Sequence, residues 1–381
     1  MSKPDNLKKI VFVTGTRADY GKIKPLICSL QLEKLYDIKI FICGMHLDIN
    51  HGSTYIAVMR DFPDICHIFN NLTRGKDASN ALSECVYGFN IFLRDHQPDL
   101  VVVHGDRVEA LAACVSSCLN NIIVAHIEGG EQSGTIDESI RHAISKFSHH
   151  HFVCSNDAKD VLLKFGENVD YVYNIGSSDI DFIVKKQFPS FQDACLKYDI
   201  LFKDYGIVLY HPVTTDIIKT IDDCQAMVDA LISSKRNYIV ILPNNDLGSR
   251  EIIDIYNSSL NSSSFRILPS IDFEYFLSIL ANSAFLVGNS SAGVREMPYI
   301  DLPSLNIGLR QQSRLNVEVD SVFHLPYPSS QDILSLLDQH WGQQFSNNFI
   351  TFGDGSSSFA FSQILSSEFF WQAPLQKLLC F

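Results

Sequence analysis

Short runs of branched apolar residues recur along this chain at intervals that leave room for one helix each, and this alternation restricts the fold more than any other feature. "KIVFVTG" (9–15), "DIKIFICG" (37–44), "DLVVVHG" (99–105), "NIIVAHIEG" (121–129), "HHFVCS" (150–155) and "DYVYNIG" (170–176) read as strands. Helical patterns occupy 19–32, 77–96, 107–119, 137–147 and 156–165. Apolar strands that alternate with helices belong to a parallel sheet covered on both faces. After the less patterned stretch 185–204 the alternation restarts with "YGIVLYHP" (205–212), "NYIVILPN" (237–244), "SFRILPS" (264–270), "AFLVGNSS" (284–291) and "PSLNIG" (303–308). Two doubly wound α/β domains are expected, with a boundary near 185–204. The tail 359–381 adds an apolar helical stripe that must dock on something.

Bulk properties narrow the function. The net charge of −13 argues against nucleic acid as the main partner, yet a few placed arginines suffice to hold an anionic small molecule. Apolar stretches such as "IVFV" and "LVVV" fall far short of the roughly 20 residues that span a bilayer, and the N-terminus lacks the apolar core of a signal peptide. A cytoplasmic protein without a membrane partner is expected. Ten cysteines lie scattered with no Cys-x-x-Cys pair, which reads as buried free thiols. The triple histidine at 149–151 makes a poor metal chelate, because neighbouring side chains of a strand point to opposite faces.

Ligands of open parallel sheets bind beyond the carboxyl ends of the strands, so the polar residues there are the candidates. The first strand is followed by "GTRADYGK", in which Arg17 and Lys22 supply charge and Gly15 and Gly21 allow close approach. This fits anion binding, but taken alone the plain strand-to-helix turn is the stronger reading. "HGDRVEA" places His104, Asp106 and Arg107 at a strand end, where Asp106 can also serve as a helix N-cap. "HIEGGEQSGTIDESIRHA" (126–143) brings Glu128, Glu131, Asp137 and Glu138 beside Arg141. Thr135 and Glu138 have capping-box spacing, and Asp137 and Arg141 have the spacing of an intrahelical ion pair. In the second half, His211 and Asn244 follow strands. "VGNSSAGVREMP" (287–298) offers Ser290, Ser291 and the N–H groups of a following helix as an anion seat, with Arg295, Glu296, Arg310 and Arg314 nearby. The plainer alternative there is a capped turn with surface arginines.

Taken together, "TRADYGK", "HGDR", "HIEGGEQSGTIDESIRHA", "HPVTTD", "LPNNDLGSRE", "GNSSAGVRE" and "NIGLRQ" resemble, in order, the motifs of hydrolysing UDP-N-acetylglucosamine 2-epimerases of the sialic and legionaminic acid pathways. The resemblance implies a GT-B architecture: Rossmann-like domains at 1–185 and 205–358, a cleft between them, and a helix in 359–381 returning to the first domain. It implies elimination of UDP to a glycal, then water addition, giving N-acetylmannosamine. A second substrate in the same class is UDP-N,N'-diacetylbacillosamine, and a glycosyltransferase is the alternative on the same fold. Asp106, Glu128 and Asp137 match the catalytic carboxylates, with His211, Lys22 and Arg141 assisting. Arg17, Gly21, Arg107, Asn244, Ser290, Ser291, Glu296 and Arg310 match the UDP contacts, while Glu131 matches no role. Neither metal nor other cofactor is implied, and a homodimer or homotetramer is. Pro269 and Ser270 stand where the animal bifunctional relative carries the basic pair used for feedback by CMP-sialic acid, so that feedback is not expected.

Overall fold

The computed structural model describes residues 7–75, 77–133, 136–244, 246–311 and 317–380, leaving aside the side chain of Asn50. It divides into two compact units. The first comprises Met1–Gln132, Asp137–Lys185 and Thr351–Phe381, and the second is made mainly of Lys186–Ile350. Thr135 and Arg314, singled out in the sequence, lie outside the described residues.

In the first unit strands and helices alternate strictly: β1 (Lys8–Thr14), α1 (Arg17–Glu33), β2 (Tyr36–Ile42), α2 (Tyr55–Asp61), β3 (Cys66–Ile68), α3 (Ala78–His96), β4 (Leu100–His104), α4 (Val108–Leu119), β5 (Ile123–Ile127), α5 (Ile136–Phe147), β6 (His150–Val153), α6 (Asn156–Lys164), β7 (Val172–Asn174) and α7 (Ser178–Val184). All neighbouring strands pair in parallel, in the order β3-β2-β1-β4-β5-β6-β7. The order reverses between β1 and β4, where Phe12 sits in register with Val102. Helices start where side chains can satisfy free N–H groups: Thr16 and Asp19 form a capping box on α1, Asp77 caps α3 and Ser155 caps α6.

Period-two alternation sorts the strands between two cores. Ile10, Phe12, Ile40, Leu100, Val102 and Ile127 belong to one, and Val11, Val13, Phe41, Val101, Val103 and Val124 to the other. The tail fills the first of these. Its helix Ser357–Leu365 is capped by Asp181, which accepts from the Ser357 and Ser358 N–H groups at 2.9 Å each. Phe361 from that helix packs against Phe152 with ring centroids 4.7 Å apart.

The second unit holds β8 (Gly206–Leu209), β9 (Tyr238–Ile241), β10 (Phe265–Leu268), β11 (Phe285–Gly288), β12 (Ser304–Ile307) and β13 (Val322–Leu325), all parallel, in the order β10-β9-β8-β11-β12-β13. Here the order reverses between β8 and β11. The two strands come so close at their ends that a Cβ on Gly288 would lie 2.1 Å from the Leu209 carbonyl oxygen, and its φ of +146° also requires glycine.

The structure adds to the sequence reading in two places and corrects it in a third. β3 and β13 were not anticipated: they are short edge strands, only partly buried, without the apolar run that marks the inner strands. The stretch 185–204 contains a helix, Phe191–Tyr198. After "GNSSAG" the structure has two four-residue helices, Ala292–Arg295 and Met297–Ile300, rather than one, as Pro298 has no N–H with which to continue the ladder. Among the described residues no helix is long and apolar enough to cross a membrane.

Candidate active site

At the carboxyl end of the first sheet the loops after β1, β4 and β5 bring charged side chains together. Asp19 proves architectural: its carboxylate accepts from the Gly15 and Thr16 N–H groups and from Thr14 Oγ1, each at 2.9 Å, and so shapes the turn into α1. That turn presents Arg17 at the first position of α1, with Gly21 and Lys22 buried on the next turn. The Lys22 ammonium then reaches across the sheet to Glu128 Oε1 at 2.6 Å, with Asp179 Oδ2 at 3.6 Å.

Glu128 ends β5 in the left-handed region, at φ +62°, a conformation that costs a non-glycine residue energy and is maintained only by its surroundings. Those surroundings are explicit. The Ser177 hydroxyl donates to Oε1 at 2.8 Å, and His104 Nε2 lies 3.3 Å from Oε2. The carboxylate is 5% exposed, so the backbone aims it and three side chains hold it.

Asp106 was considered as an N-cap of α4, but that position belongs to Arg107. Asp106 instead forms an ion pair with Arg141 from α5. The turn needs Gly105, whose φ is +70° and above which nothing lies within 4 Å. Arg141 is nearly fully buried and also donates to the Glu131 carbonyl at 3.1 Å. Burial opposes its charge, yet the fields of Asp106, Glu131, Glu128 and Asp137 together outweigh it and raise its pKa. Of the four acids that 126–143 brings beside this arginine, three (Glu128, Glu131 and Asp137) therefore act on it, and Asp106 joins them from the loop after β4. Glu138 faces His142 at 3.5 Å on the helix flank.

Sequence reasoning missed His126 here. Its ring joins Gly105 to α5, with Nε2 2.7 Å from the Gly105 carbonyl and Nδ1 3.0 Å from the Ser145 hydroxyl, and burial keeps it neutral at ordinary pH. An acid was missed as well: Glu109 is buried under Gly15 and Gly44, with Arg107 Nε 4.0 Å away.

For metals, one group among the described residues has suitable spacing: Glu128, Glu131 and Cys154, with ligand atoms within 4.8 Å of one another. The lysine already on Glu128 supplies the positive charge such an ion would bring. The triple histidine serves elsewhere, each ring with its own partner: His149 with the Leu375 carbonyl, His150 stacked on Phe370 at 3.8 Å, His151 with Glu167 at 3.0 Å. All ten cysteines are free thiols; Cys43, Cys85, Cys114, Cys154 and Cys224 are buried, whereas Cys28 and Cys380 are exposed.

The second unit builds a different set. His211 follows β8, and its main chain is held by Asn289: the His211 N–H donates to Asn289 Oδ1 at 2.7 Å, and Asn289 Nδ2 donates back to the His211 carbonyl at 2.8 Å. Asn244 donates its N–H to His211 Nδ1 at 3.3 Å, while its side-chain Oδ1 is buried with no hydrogen-bond partner among the described residues. Ser290 and Ser291 open the helix Ala292–Arg295, whose N–H at Ala292 donates to Ser290 Oγ at 3.3 Å. Arg295 and Glu296 are buried, which removes the reading of Arg295 as a surface residue. Arg310 Nη1 and Gln311 Nε2 both donate to the Asn289 carbonyl, at 3.1 and 2.9 Å.

Residues 29–366 match the family model described as UDP-N-acetylglucosamine 2-epimerase. The chain belongs to that family. It is 35% identical over 374 residues to the UDP-N-acetylglucosamine 2-epimerase of Neisseria meningitidis serogroup B, covering 97% of this chain and 98% of the relative. Against the hydrolysing UDP-N,N'-diacetylbacillosamine 2-epimerase of Legionella pneumophila the identity is 33% over 319 residues, covering 81% and 83%. Among solved structures, the epimerase of Methanocaldococcus jannaschii in complex with UDP-GlcNAc and UDP superposes with a TM-score of 0.78 at 18% identity, over 94% of this chain and 99% of that one. The two doubly wound sheets are thus those of the epimerase fold, of the GT-B class.

Proposed function

We propose that this epimerase is of the hydrolysing kind and converts UDP-N-acetylglucosamine to N-acetylmannosamine and UDP. The observation that carries the reading is Arg141, buried among Asp106, Glu131, Glu128 and Asp137, with Lys22 on Glu128. The C2–H of the sugar is not acidic, so its loss must accompany departure of UDP from C1. One carboxylate takes the C2 proton while the C1–O bond breaks, leaving a glycal, and positive charge developing at C1 is stabilised by the remaining acids. Water then adds at C1 as a proton returns to C2 from the opposite face. Asp106, Glu128 and Asp137 are the carboxylates for these steps. Arg141 pairs with Asp106 and Lys22 with Glu128, which fixes those two carboxylates in place.

On the same reading the second unit binds UDP. The unfilled Asn244 Oδ1 is an acceptor for a ligand N–H. Ser290, Ser291 and Arg310 donate to the diphosphate, Glu296 accepts from ribose, and His211 assists the leaving group. In the first unit, Arg17, Gly21 and Arg107 are the anion-binding candidates of its own loops. The protein acts in the cytoplasm as a homodimer or homotetramer, in nonulosonic acid biosynthesis, without metal or nicotinamide.

A second reading keeps the chemistry and changes the sugar to UDP-N,N'-diacetylbacillosamine, favoured by the 33% identity to the Legionella enzyme. Incubation with UDP-N-acetylglucosamine in deuterium oxide, followed by proton NMR, tests both. Free UDP with N-acetylmannosamine deuterated at C2 is expected. Turnover of the diacetylbacillosamine nucleotide alone moves the protein to the second reading. UDP release that depends on an added acceptor sinks both in favour of a transferase.

A further inference from the structure

We propose that Asn289 is a positioning residue for the reaction, setting His211 through both hydrogen bonds of its side-chain amide. The inference rests on the epimerase reading of His211. Asn289 stands one residue beyond β11, is 1% exposed, and clasps the N–H and the carbonyl of His211 at 2.7 and 2.8 Å. β8 and β11 are neighbours at the point where the strand order reverses. Past the last paired residues, Leu209 and Gly288, one more backbone bond forms, from the Asn289 N–H to the Leu209 carbonyl at 3.2 Å, and the side-chain amide then carries the pairing on to His211. The same residue's carbonyl gathers Arg310 and Gln311 from the loop after β12. One asparagine thereby ties together the loops after β8, β11 and β12.

This clasp has a chemical consequence. With its backbone fixed, His211 turns Nδ1 toward the Asn244 N–H at 3.3 Å. A backbone N–H can only donate, so Nδ1 is the acceptor and the neutral ring carries its hydrogen on Nε2. His211 is therefore set as a donor at Nε2, the form that stabilises negative charge on a departing oxygen rather than the form that takes a proton from carbon.

The test compares N289A and N289D, each alone and combined with H211N. N289D keeps the acceptor for the His211 N–H and lacks the donor to its carbonyl. Each single variant is expected to lower kcat about ten- to hundred-fold, with KM changed less than about threefold, the loss set by a buried group left without its partner. In the H211N background either change should cost no more than about twofold, because its effect passes through His211. Losses that multiply in the double variants overturn the proposal. Should N289A fail to fold, N289D carries the same comparison. Nitrogen-15 NMR of histidine-labelled protein, with H211N identifying the signal, should report Nε2–H in the native protein and a mixture of tautomers in the variants. A proton on Nδ1 in the native protein, or a tautomer unchanged by the substitutions, also overturns it. This readout needs no turnover, so it separates failure of the inference from failure of the epimerase reading.

Discussion

Lys377 donates to the Ser148 carbonyl at 2.8 Å, so a lysine from the tail closes the C-terminal end of the helix that carries Asp137 and Arg141. It donates to the Ser145 carbonyl at the same distance and forms an ion pair with buried Glu167. A cation at a helix C-terminus is favourable in itself, and here it also adds a donor to the carbonyls at that end. Replacing Lys377 by Met keeps the stem and removes the donors. A loss of about 1–3 kcal/mol in urea unfolding is expected, with Arg recovering part of it. An unchanged midpoint would show that water replaces the lysine at no cost.

Arg141 uses two nitrogens on two partners, Asp106 and the Glu131 carbonyl, and a single ammonium does not reproduce that fork. R141K is expected to reduce kcat at least about a hundredfold while UDP affinity stays within about twofold, since the substitution acts on the carboxylates and not on the nucleotide contacts. Steady-state kinetics and calorimetric UDP titration check this. Equal losses in kcat and in UDP binding would place Arg141 on the nucleotide instead.

Acid should unfold the protein in a defined window. Burial lowers the pKa of His46 to about 4 and that of His150 to about 3, against 6.5 for an ordinary histidine. Both are neutral in the fold and take up a proton on unfolding, so the stability they contribute is complete above pH 6.5 and is lost as pH falls toward their folded values. Each such group adds a slope of about 1.4 kcal/mol per pH unit inside its window. Glu167 adds a later loss. Despite its burial, His151 and Lys377 hold it at about 2, so its contribution disappears between pH 4.5 and that value. His150 stacks on Phe370, and H150F should keep the stack while flattening the slope between pH 6.5 and 4 in denaturant midpoints measured against pH. An unaltered slope would rule out His150 as a contributor.

Phe361 is fully buried against Phe12 and Phe152 in the core of the first unit. F361A should cost about 3–5 kcal/mol, as for other large-to-small changes in a packed core. If the tail were an appendage the loss would be near zero, and thermal unfolding followed by circular dichroism distinguishes the two.

The doubly wound fold was legible because its inner strands are buried on both faces and leave continuous apolar runs, such as Leu100–His104. Edge strands Cys66–Ile68 and Val322–Leu325 were not, since each is half solvated and needs no such run. The break at Glu296 had a visible signal in Pro298, which does not fit one continuous helix. Pairings such as Lys22 with Glu128 and Asp106 with Arg141 join distant segments, and no local pattern encodes them. Asn289 sat inside a quoted motif, but an asparagine in a turn has too many local uses for its two bonds to His211 to be read from sequence. The left-handed backbone at Glu128 was equally hidden, because glutamate gives no hint of it.

The first unit is discontinuous, taking Thr351–Phe381 to complete a core begun at Lys8. On the ribosome this reverses the usual order in which the N-terminal part of a chain folds first. The second unit is synthesised before the first acquires Phe361, Leu365 and Phe370, so part of one core of the first sheet stays unfilled until residues 357–370 emerge. A stop codon placed before Ser357 therefore threatens the oldest part of the nascent chain, not the newest.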